Sequence, residues 1–211
     1  MSARPAIAAV IFDFGGVITS SPFEAFARYE VQRGLPANFI RTVNSTNPDH
    51  NAWARFERSE IGAAEFDGAF RAEALALGHD VPGSDVLPLL AGDVRPGMVA
   101  ALKACKTQYK VGCITNNVAS DEDIGWGRSV SDILALFDHV IESSKAGLRK
   151  PDPRIYQMMC EQLAVEPSAC VYLDDLGINC KPAAALGMTA IKVVSEAQAL
   201  ADLAAVTELA L

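Results

Sequence analysis

The sequence has few residues of the kinds that bind soft metals or form crosslinks. Its three histidines, His50, His79 and His139, lie in unrelated contexts, and no chemistry is assigned to them. The cysteines are odd in number and form no CxxC pair, which argues against a zinc site or a disulfide framework. They are Cys105, Cys113, Cys160, Cys170 and Cys180. We expect buried free thiols in a reducing cytosol, and hence a cytoplasmic protein.

Long apolar runs and long basic runs are also missing. The N-terminal apolar run Ala6–Phe12 is too short for a secretory signal and ends at a charged residue. No stretch approaches the roughly 20 apolar residues that span a bilayer. The 18 basic residues are outnumbered by 26 acidic ones, for a net charge of −8. We therefore expect neither nucleic acid nor an anionic membrane surface as a partner, and the oligomeric state is left open.

Half of the 211 residues are hydrophobic, which suffices for one domain or for a core with a modest insertion. Several short apolar runs end abruptly at polar residues, as expected for parallel strands buried on both faces. They are IAAVIF before Asp13, VGCI before Thr115, HVIE before Ser143, CVYL before Asp174 and AIKVV before Ser195. Segments with helical periodicity separate these runs. The alternation predicts an α/β fold with an open parallel sheet.

One segment interrupts the alternation. Between residues 20 and 93 the apolar residues recur at helical spacing, as at Phe23 and Phe26 or at Trp53 and Phe56. Proline and glycine mark its end, at Pro82-Gly83 and again close to residue 95. We predict a helical cap, residues 20–93, inserted into a core formed by residues 1–19 and 94–211.

Polar residues with the chemistry of a site follow three of the predicted strands. Asp13, Thr115 and the pair Asp174–Asp175 come directly after apolar runs. Each alone has an ordinary structural explanation: an aspartate or threonine often ends a strand by bonding its own loop, and an acidic pair is often solvated. Because ligands bind at the carboxyl ends of parallel strands, the convergence of all of them predicts a site there.

Four motifs, in order along essentially the whole chain, resemble the haloacid dehalogenase superfamily. They are FDFGGV at Phe12–Val17, ITNN at Ile114–Asn117, RKPDP at Arg149–Pro153 and YLDDLGIN at Tyr172–Asn179. The segments Trp53–Ile61 and Gly147–Tyr156 make the chain most similar to the small-cap group that includes the N-terminal phosphatase domain of soluble epoxide hydrolases. The resemblance implies a doubly wound, Rossmann-like parallel-sheet core with a small all-helical cap.

The resemblance also implies a reaction. Asp13 would be the nucleophile that accepts a phosphoryl group from a small phosphorylated metabolite. Mg²⁺, a hard cation that prefers oxygen ligands, would be held by Asp13, Asp174 and Asp175 and by the backbone carbonyl of Gly15. The remaining predicted site residues serve the phosphoryl group: Lys150 would offset charge, Thr115 would hydrogen-bond a phosphoryl oxygen, and Asn116 would contact the substrate, with Asn179 a further candidate at the site.

The chain departs from the family at Gly15. Most family phosphatases carry an aspartate there, two residues after the nucleophile, which protonates the leaving oxygen and later deprotonates water. A positioned acid–base group contributes roughly 10²–10⁴-fold, so ordinary turnover is in question. The alternatives are a weak or specialised phosphatase, a persistent phosphoaspartate, or a phospholigand-binding or regulatory protein without turnover. The 2-haloacid dehalogenases also lack this aspartate, but Asp174 and Asp175 would repel their carboxylate substrates.

Overall fold

The computed structural model describes residues 6–90, 92–117 and 128–211, so residues 1–5, 91 and 118–127 of the predicted core and cap lie outside it. Within this part of the chain, one all-parallel sheet has five strands in the order β3-β2-β1-β4-β5. The strands are β1 (Ala9–Phe12), β2 (Lys110–Thr115), β3 (His139–Glu142), β4 (Cys170–Asp174) and β5 (Thr189–Lys192). All five predicted strands are thus confirmed, and the fold is a Rossmann-like α/β core.

Helices cover both faces of this sheet. The core helices are α6 (Pro96–Lys106), α7 (Arg128–Leu134), α8 (Ser143–Ala146), α9 (Pro153–Leu163), α10 (Gly177–Ala185) and α11 (Glu196–Thr207). Residues of α6 and α11 pack on one face of β1 and β4, and residues of α9 and α10 pack on the other. Every side chain of β1 and β4 is buried, because both faces of these central strands are covered. The doubly wound arrangement predicted from the sequence is confirmed.

Between β1 and α6 the chain is helical. Its helices are α1 (Pro22–Arg33), α2 (Phe39–Ser45), α3 (Ala52–Glu57), α4 (Ala63–Ala76) and α5 (Gly83–Val86), followed by a 3₁₀ turn at Leu87–Leu90. Aromatic residues of α1–α4, among them Phe26, Phe56 and Phe66, form a hydrophobic cluster of their own, apart from the two clusters that cover the sheet. This separate cluster supports our proposal that residues 20–93 form a cap.

The two ends of the helical segment lie side by side. Thr19 and Val94 form an antiparallel bridge, and the Ser20 N–H donates to the Asp93 carbonyl at 2.8 Å. A further backbone hydrogen bond joins the two ends, from the Arg95 N–H to the Ile18 carbonyl at 2.9 Å. The chain therefore leaves and re-enters the core at one place, immediately after the loop that carries Asp13. None of the helices in the described ranges is both long and apolar enough to cross a membrane.

Candidate active site

Asp13 lies at the carboxyl end of β1, the central strand. Its N–H donates to the Leu173 carbonyl of β4 at 2.8 Å, which extends the sheet by one bond and fixes the direction of the side chain. The carboxylate is buried, and its Oδ1 accepts a hydrogen bond from the Phe14 N–H at 2.7 Å. The predicted nucleophile is therefore rigidly placed where the strands end.

The loop after Asp13 is a single wide turn, Phe14–Ile18, whose two glycines have different roles. Gly16 has a φ of +78°, and a Cβ there would lie 2.3 Å from the Asp175 carboxylate carbon, so this position requires glycine. Gly15 has φ −67° and ψ 131°, and a Cβ built on it meets no atom within 4 Å. A side chain at position 15 would therefore fit in both backbone conformation and space.

Lys150 connects two of the carboxylates. Its Nζ lies 2.7 Å from Asp13 Oδ1 and donates to Asp174 Oδ2 at 2.9 Å, and its side chain is 1% exposed. The Asn116 side chain positions its backbone: the Lys150 N–H donates to Asn116 Oδ1 at 2.8 Å, and Asn116 Nδ2 donates to the Lys150 carbonyl at 3.0 Å. The structure thus places Asn116 on the lysine backbone, and its predicted contact with substrate stays a prediction.

Asp174 ends β4 and is completely buried. Its Oδ2 accepts from Lys150 Nζ at 2.9 Å, from the Tyr172 hydroxyl at 2.5 Å and from Asn179 Nδ2 at 3.1 Å. Its Oδ1 accepts from the Leu176 N–H at 2.8 Å and from the same Asn179 amide at 3.1 Å. A carboxylate offers about four lone-pair sites, so the protein itself saturates Asp174.

Asp175 is less occupied than its neighbour. It is partly buried, and its Oδ2 accepts one side-chain hydrogen bond, from the Ser21 hydroxyl at 3.0 Å. Asp13, Asp174 and Asp175 each offer a carboxylate oxygen within 4.8 Å of the others. Among the described residues, no other side chain donates to Asp13 Oδ2 or to Asp175 Oδ1. This pair of oxygens could therefore hold a cation.

Burial and charge shift the ionisation of the cluster. Burial raises the pKa of Asp13, and although Lys150 opposes the shift, the negative charge of Asp174 adds to it, so the pKa lies well above the usual range. Burial and Asp174 likewise raise the pKa of Asp175. Burial alone would lower the pKa of Lys150, but the charges of Asp13 and Asp174 outweigh burial. The pKa of Lys150 is therefore raised, and its ammonium stays charged. A second cation at the carboxylates would relieve the excess negative charge.

Thr115 ends β2, the neighbour of β1, and is buried at the same edge of the sheet. Asn117 points elsewhere: its amide donates to Glu142 at 2.9 Å, and its Oδ1 accepts from the Ser144 hydroxyl at 2.8 Å. The structure therefore gathers the predicted residues Asp13, Thr115 and Lys150 with the acidic pair, while Asn117 serves the adjoining loop.

Two residues at the site were not predicted. Tyr172 precedes Asp174 by two positions in β4, and because alternate residues of a strand share a face, this spacing could have indicated their contact. Ser21 begins α1 but makes no helix-capping bond, because its hydroxyl donates to Asp175 instead. No local pattern could have indicated this contact, which joins residues 154 positions apart.

The Tyr172 hydroxyl should contribute measurably to stability. We expect Tyr172→Phe to lower the free energy of unfolding by about 1.5–3 kcal/mol, because it removes a buried donor from a charged acceptor. Tyr156→Phe is the matched control: its hydroxyl donates to the neutral Asn179 carbonyl at 2.8 Å, and its loss should cost about 1 kcal/mol. Urea unfolding of both variants without metal measures the difference, and equal losses would contradict the prediction.

Comparison with known proteins places this geometry in context. The family of haloacid dehalogenase-like hydrolases matches residues 7–187. Mouse acyl-CoA dehydrogenase family member 10 is 34% identical over 93% of this chain and 19% of its own length. Mouse bifunctional epoxide hydrolase 2 is 29% identical over 96% of this chain and 39% of its own. The chain thus spans about a fifth of the length of the first relative and two fifths of the length of the second. The predicted resemblance to epoxide hydrolases is confirmed.

A relative of similar size is phosphatase MT3486 of Mycobacterium tuberculosis, 30% identical over 89% of this chain and 87% of its own. Among solved structures, a family enzyme of Bacteroides thetaiotaomicron with magnesium and inorganic phosphate has a TM-score of 0.61 at 21% identity, covering 89% of this chain and 94% of that one. An L-2-haloacid dehalogenase of Xanthobacter autotrophicus scores 0.62 at 17% identity, covering 97% and 85%. At these identities the structures show the fold alone.

Proposed function

This chain belongs to the haloacid dehalogenase-like hydrolase family, and we propose that it is a Mg²⁺-dependent phosphatase that acts on a small phosphorylated metabolite through Asp13. The single observation that carries the proposal is the arrangement of Asp13, Lys150 and Asp175. A buried carboxylate lies beside a buried ammonium at 2.7 Å, and a second carboxylate offers an oxygen within 4.8 Å of the first. The similarity to a phosphatase of similar length supports the proposal.

Asp13 would act as the nucleophile through a carboxylate oxygen, at the end of β1 and beside the Lys150 ammonium. The carboxylate oxygen forms a bond to phosphorus while the bond from phosphorus to the ester oxygen breaks, and the leaving alcohol takes up a proton. Water then attacks the phosphoryl group on Asp13, releasing inorganic phosphate and restoring the carboxylate. Dividing the transfer into two steps is how a covalent nucleophile lowers the barrier.

Lys150 would offset the charge that accumulates as two anions meet. Its ammonium already lies between Asp13 and Asp174, so no rearrangement is needed at the moment of reaction. Asp174 would hold Lys150 in place, and Asn116 would hold the lysine backbone. Thr115, buried at the end of β2, would hydrogen-bond a phosphoryl oxygen.

The residues present fit a magnesium ion. In the described part of the chain, Asp13 and Asp175 each have an oxygen to which no side chain donates, and oxygen ligands at a partly solvated site suit Mg²⁺, which retains several waters. We assign the direct contacts to Asp13, Asp175 and the Gly15 carbonyl, and we give Asp174 the supporting role because its oxygens are already saturated. When bound, the ion supplies positive charge next to the transferring phosphoryl group.

The lack of a side chain at Gly15 affects the second step, in which water hydrolyses the phosphorylated Asp13. With no side chain there to accept a proton from water, hydrolysis of the phosphorylated Asp13 should be slow. This is the observation that favours a second candidate function, a phospholigand-binding or regulatory protein with the same site but little turnover.

Dehalogenation of a haloacid is disfavoured, because three carboxylates crowd the site and Lys150 is the cation that the described residues bring to them.

The proposal is tested with p-nitrophenyl phosphate, whose leaving group needs little protonation. Purified protein is mixed with the ester and Mg²⁺, and nitrophenol release is followed from the first milliseconds. Sustained Mg²⁺-dependent release supports a phosphatase, and a burst of about one equivalent followed by near silence supports phosphorylation of Asp13 with a slow second step. If no nitrophenol is released, and no phosphate is released from a panel of phosphorylated metabolites, the proposal is overturned and the phospholigand-binding protein is favoured.

Ser21 provides a separate test of the metal site. We expect Ser21→Ala to weaken Mg²⁺ binding by roughly 10-fold, because a hydroxyl that donates to a metal-binding carboxylate holds it in the orientation that the metal needs. Ser20→Ala is the control, since the Ser20 hydroxyl accepts from the Asp93 N–H at 3.0 Å and has no contact with the acidic cluster. Calorimetric titration with Mg²⁺ alone measures both. Equal dissociation constants for the two variants would remove Ser21, and with it Asp175, from the metal site.

A further inference from the structure

Two of the five cysteines touch each other at the edge of the sheet opposite the site. Cys160 lies in the last turn of α9, Cys170 is the first residue of β4, and their sulfur atoms are 3.9 Å apart. This is the one thiol–thiol contact among the described residues, and both thiols are free. Cys170 also lies 3.4 Å from the Glu166 carbonyl, which it faces from the start of the strand.

The two thiols differ in their access to solvent. Cys160 is 4% exposed and forms part of the wall of an open groove of about 610 Å³, together with Glu161 and Val165. Cys170 has no exposed surface and lies behind Cys160. A small reagent that enters the groove therefore reaches Cys160 first, with Cys170 directly behind it.

The contact also makes the pair chemically distinct from the other cysteines. The contact with Cys170 lowers the pKa of the Cys160 thiol, although burial opposes it, whereas the contact with Cys160 and burial raise the pKa of Cys170. Burial raises the pKa of Cys105 to about 12 and that of Cys180 to about 11. Since the thiolate is the reactive form, reactivity is concentrated at Cys160.

We propose that Cys160 and Cys170 are an oxidisable dithiol, in which peroxide attacks at Cys160 and Cys170 resolves the product to a disulfide. In the first step the Cys160 sulfur bonds to one peroxide oxygen, the O–O bond breaks, and the departing hydroxide takes a proton to become water. In the second step the Cys170 sulfur attacks the sulfenic acid, its S–O bond breaks, and a second water leaves with the Cys170 proton. Two thiols and one hydrogen peroxide thus give one disulfide and two waters.

The two sulfur atoms already lie in contact. A disulfide has a sulfur–sulfur distance of about 2.05 Å, so the two atoms must approach by about 2 Å from their present separation. The bond would join the end of α9 to the start of β4, far from Asp13, so the inference is independent of the proposed function.

The experiment uses the full-length reduced protein treated with hydrogen peroxide under native conditions. Remaining thiols are then blocked with an alkylating reagent, and the protein is analysed by intact mass and by peptide mapping. We expect the loss of two hydrogen atoms, a single crosslinked peptide pair containing Cys160 and Cys170, and full reversal by dithiothreitol. Alkylation of both residues after treatment, or a disulfide between other cysteines, would overturn the proposal.

Variants identify the attacking and resolving thiols. Cys160→Ser should abolish the crosslink, and Cys170→Ser should leave a sulfenic acid on Cys160 that dimedone traps. Cys105→Ser is the matched control: it removes another buried thiol, and the crosslink should form as in the parent protein. The mapping of the parent protein needs no variant, so the proposal stays testable even if a substitution prevents folding.

Discussion

We expect Asp13→Asn to abolish both the burst and the steady release of nitrophenol while the protein remains folded. Asparagine keeps an oxygen that can accept from the Phe14 N–H, but the amide is not a nucleophile. Lys150 keeps Asp174 as its partner, and the neutral amide removes the charge whose burial, together with the nearby Asp174, raises the pKa of Asp13. The variant should therefore lose its chemistry without a large loss of stability.

A matched control separates this effect from a general loss of charge. Asp138 also accepts a backbone hydrogen bond, from the Val111 N–H at 2.8 Å, and also pairs with a lysine, Lys106, at 3.0 Å. It precedes β3 and so lies at the opposite edge of the sheet. Asp138→Asn should retain the burst. Phosphorylated Asp13 can be sought directly by mass spectrometry after rapid quenching, and turnover that survives in Asp13→Asn would remove this residue as the nucleophile.

Gly15→Asp should raise steady turnover by roughly 10²–10⁴-fold, the usual contribution of a positioned acid–base group. The structure accepts the change, because position 15 has a φ of −67° and a Cβ there meets nothing within 4 Å. The same substitution at Gly16 would place an atom 2.3 Å from the Asp175 carboxylate carbon and would disrupt the site. Substitution by aspartate is therefore expected to raise activity at Gly15 and to disrupt the site at Gly16.

Gly15→Asn is the control for Gly15→Asp, since it has nearly the same shape but cannot transfer the proton. Steady turnover of p-nitrophenyl phosphate and of an alkyl phosphate, whose leaving group needs protonation, measures the gain in each variant. The gain should be larger for the alkyl ester. If both variants gain equally, proton transfer is not the cause. If Gly15→Asp has activity and the parent has none, the natural protein is better described as a phospholigand-binding protein.

Much of the fold follows from local pattern. Fully buried strands require continuous apolar runs, and helices require apolar residues at helical spacing, so the five strands and the helical insertion could be predicted from the sequence. Helix starts were also local: Asp152 accepts from the Arg154 N–H and Ser195 from the Gln198 N–H.

The sequence by itself determined which residues come to the site, because residues that end neighbouring parallel strands must meet at one edge of the sheet. It could not determine their roles, since a role depends on which donors reach which oxygen. Only the tertiary structure decided that Asp174 is saturated by Lys150, Tyr172 and Asn179, while Asp175 has Ser21 as its one side-chain donor among the described residues. The contacts of Ser21 with Asp175 and of Cys160 with Cys170 were decided in the same way, because they join elements whose separation in space no local pattern encodes.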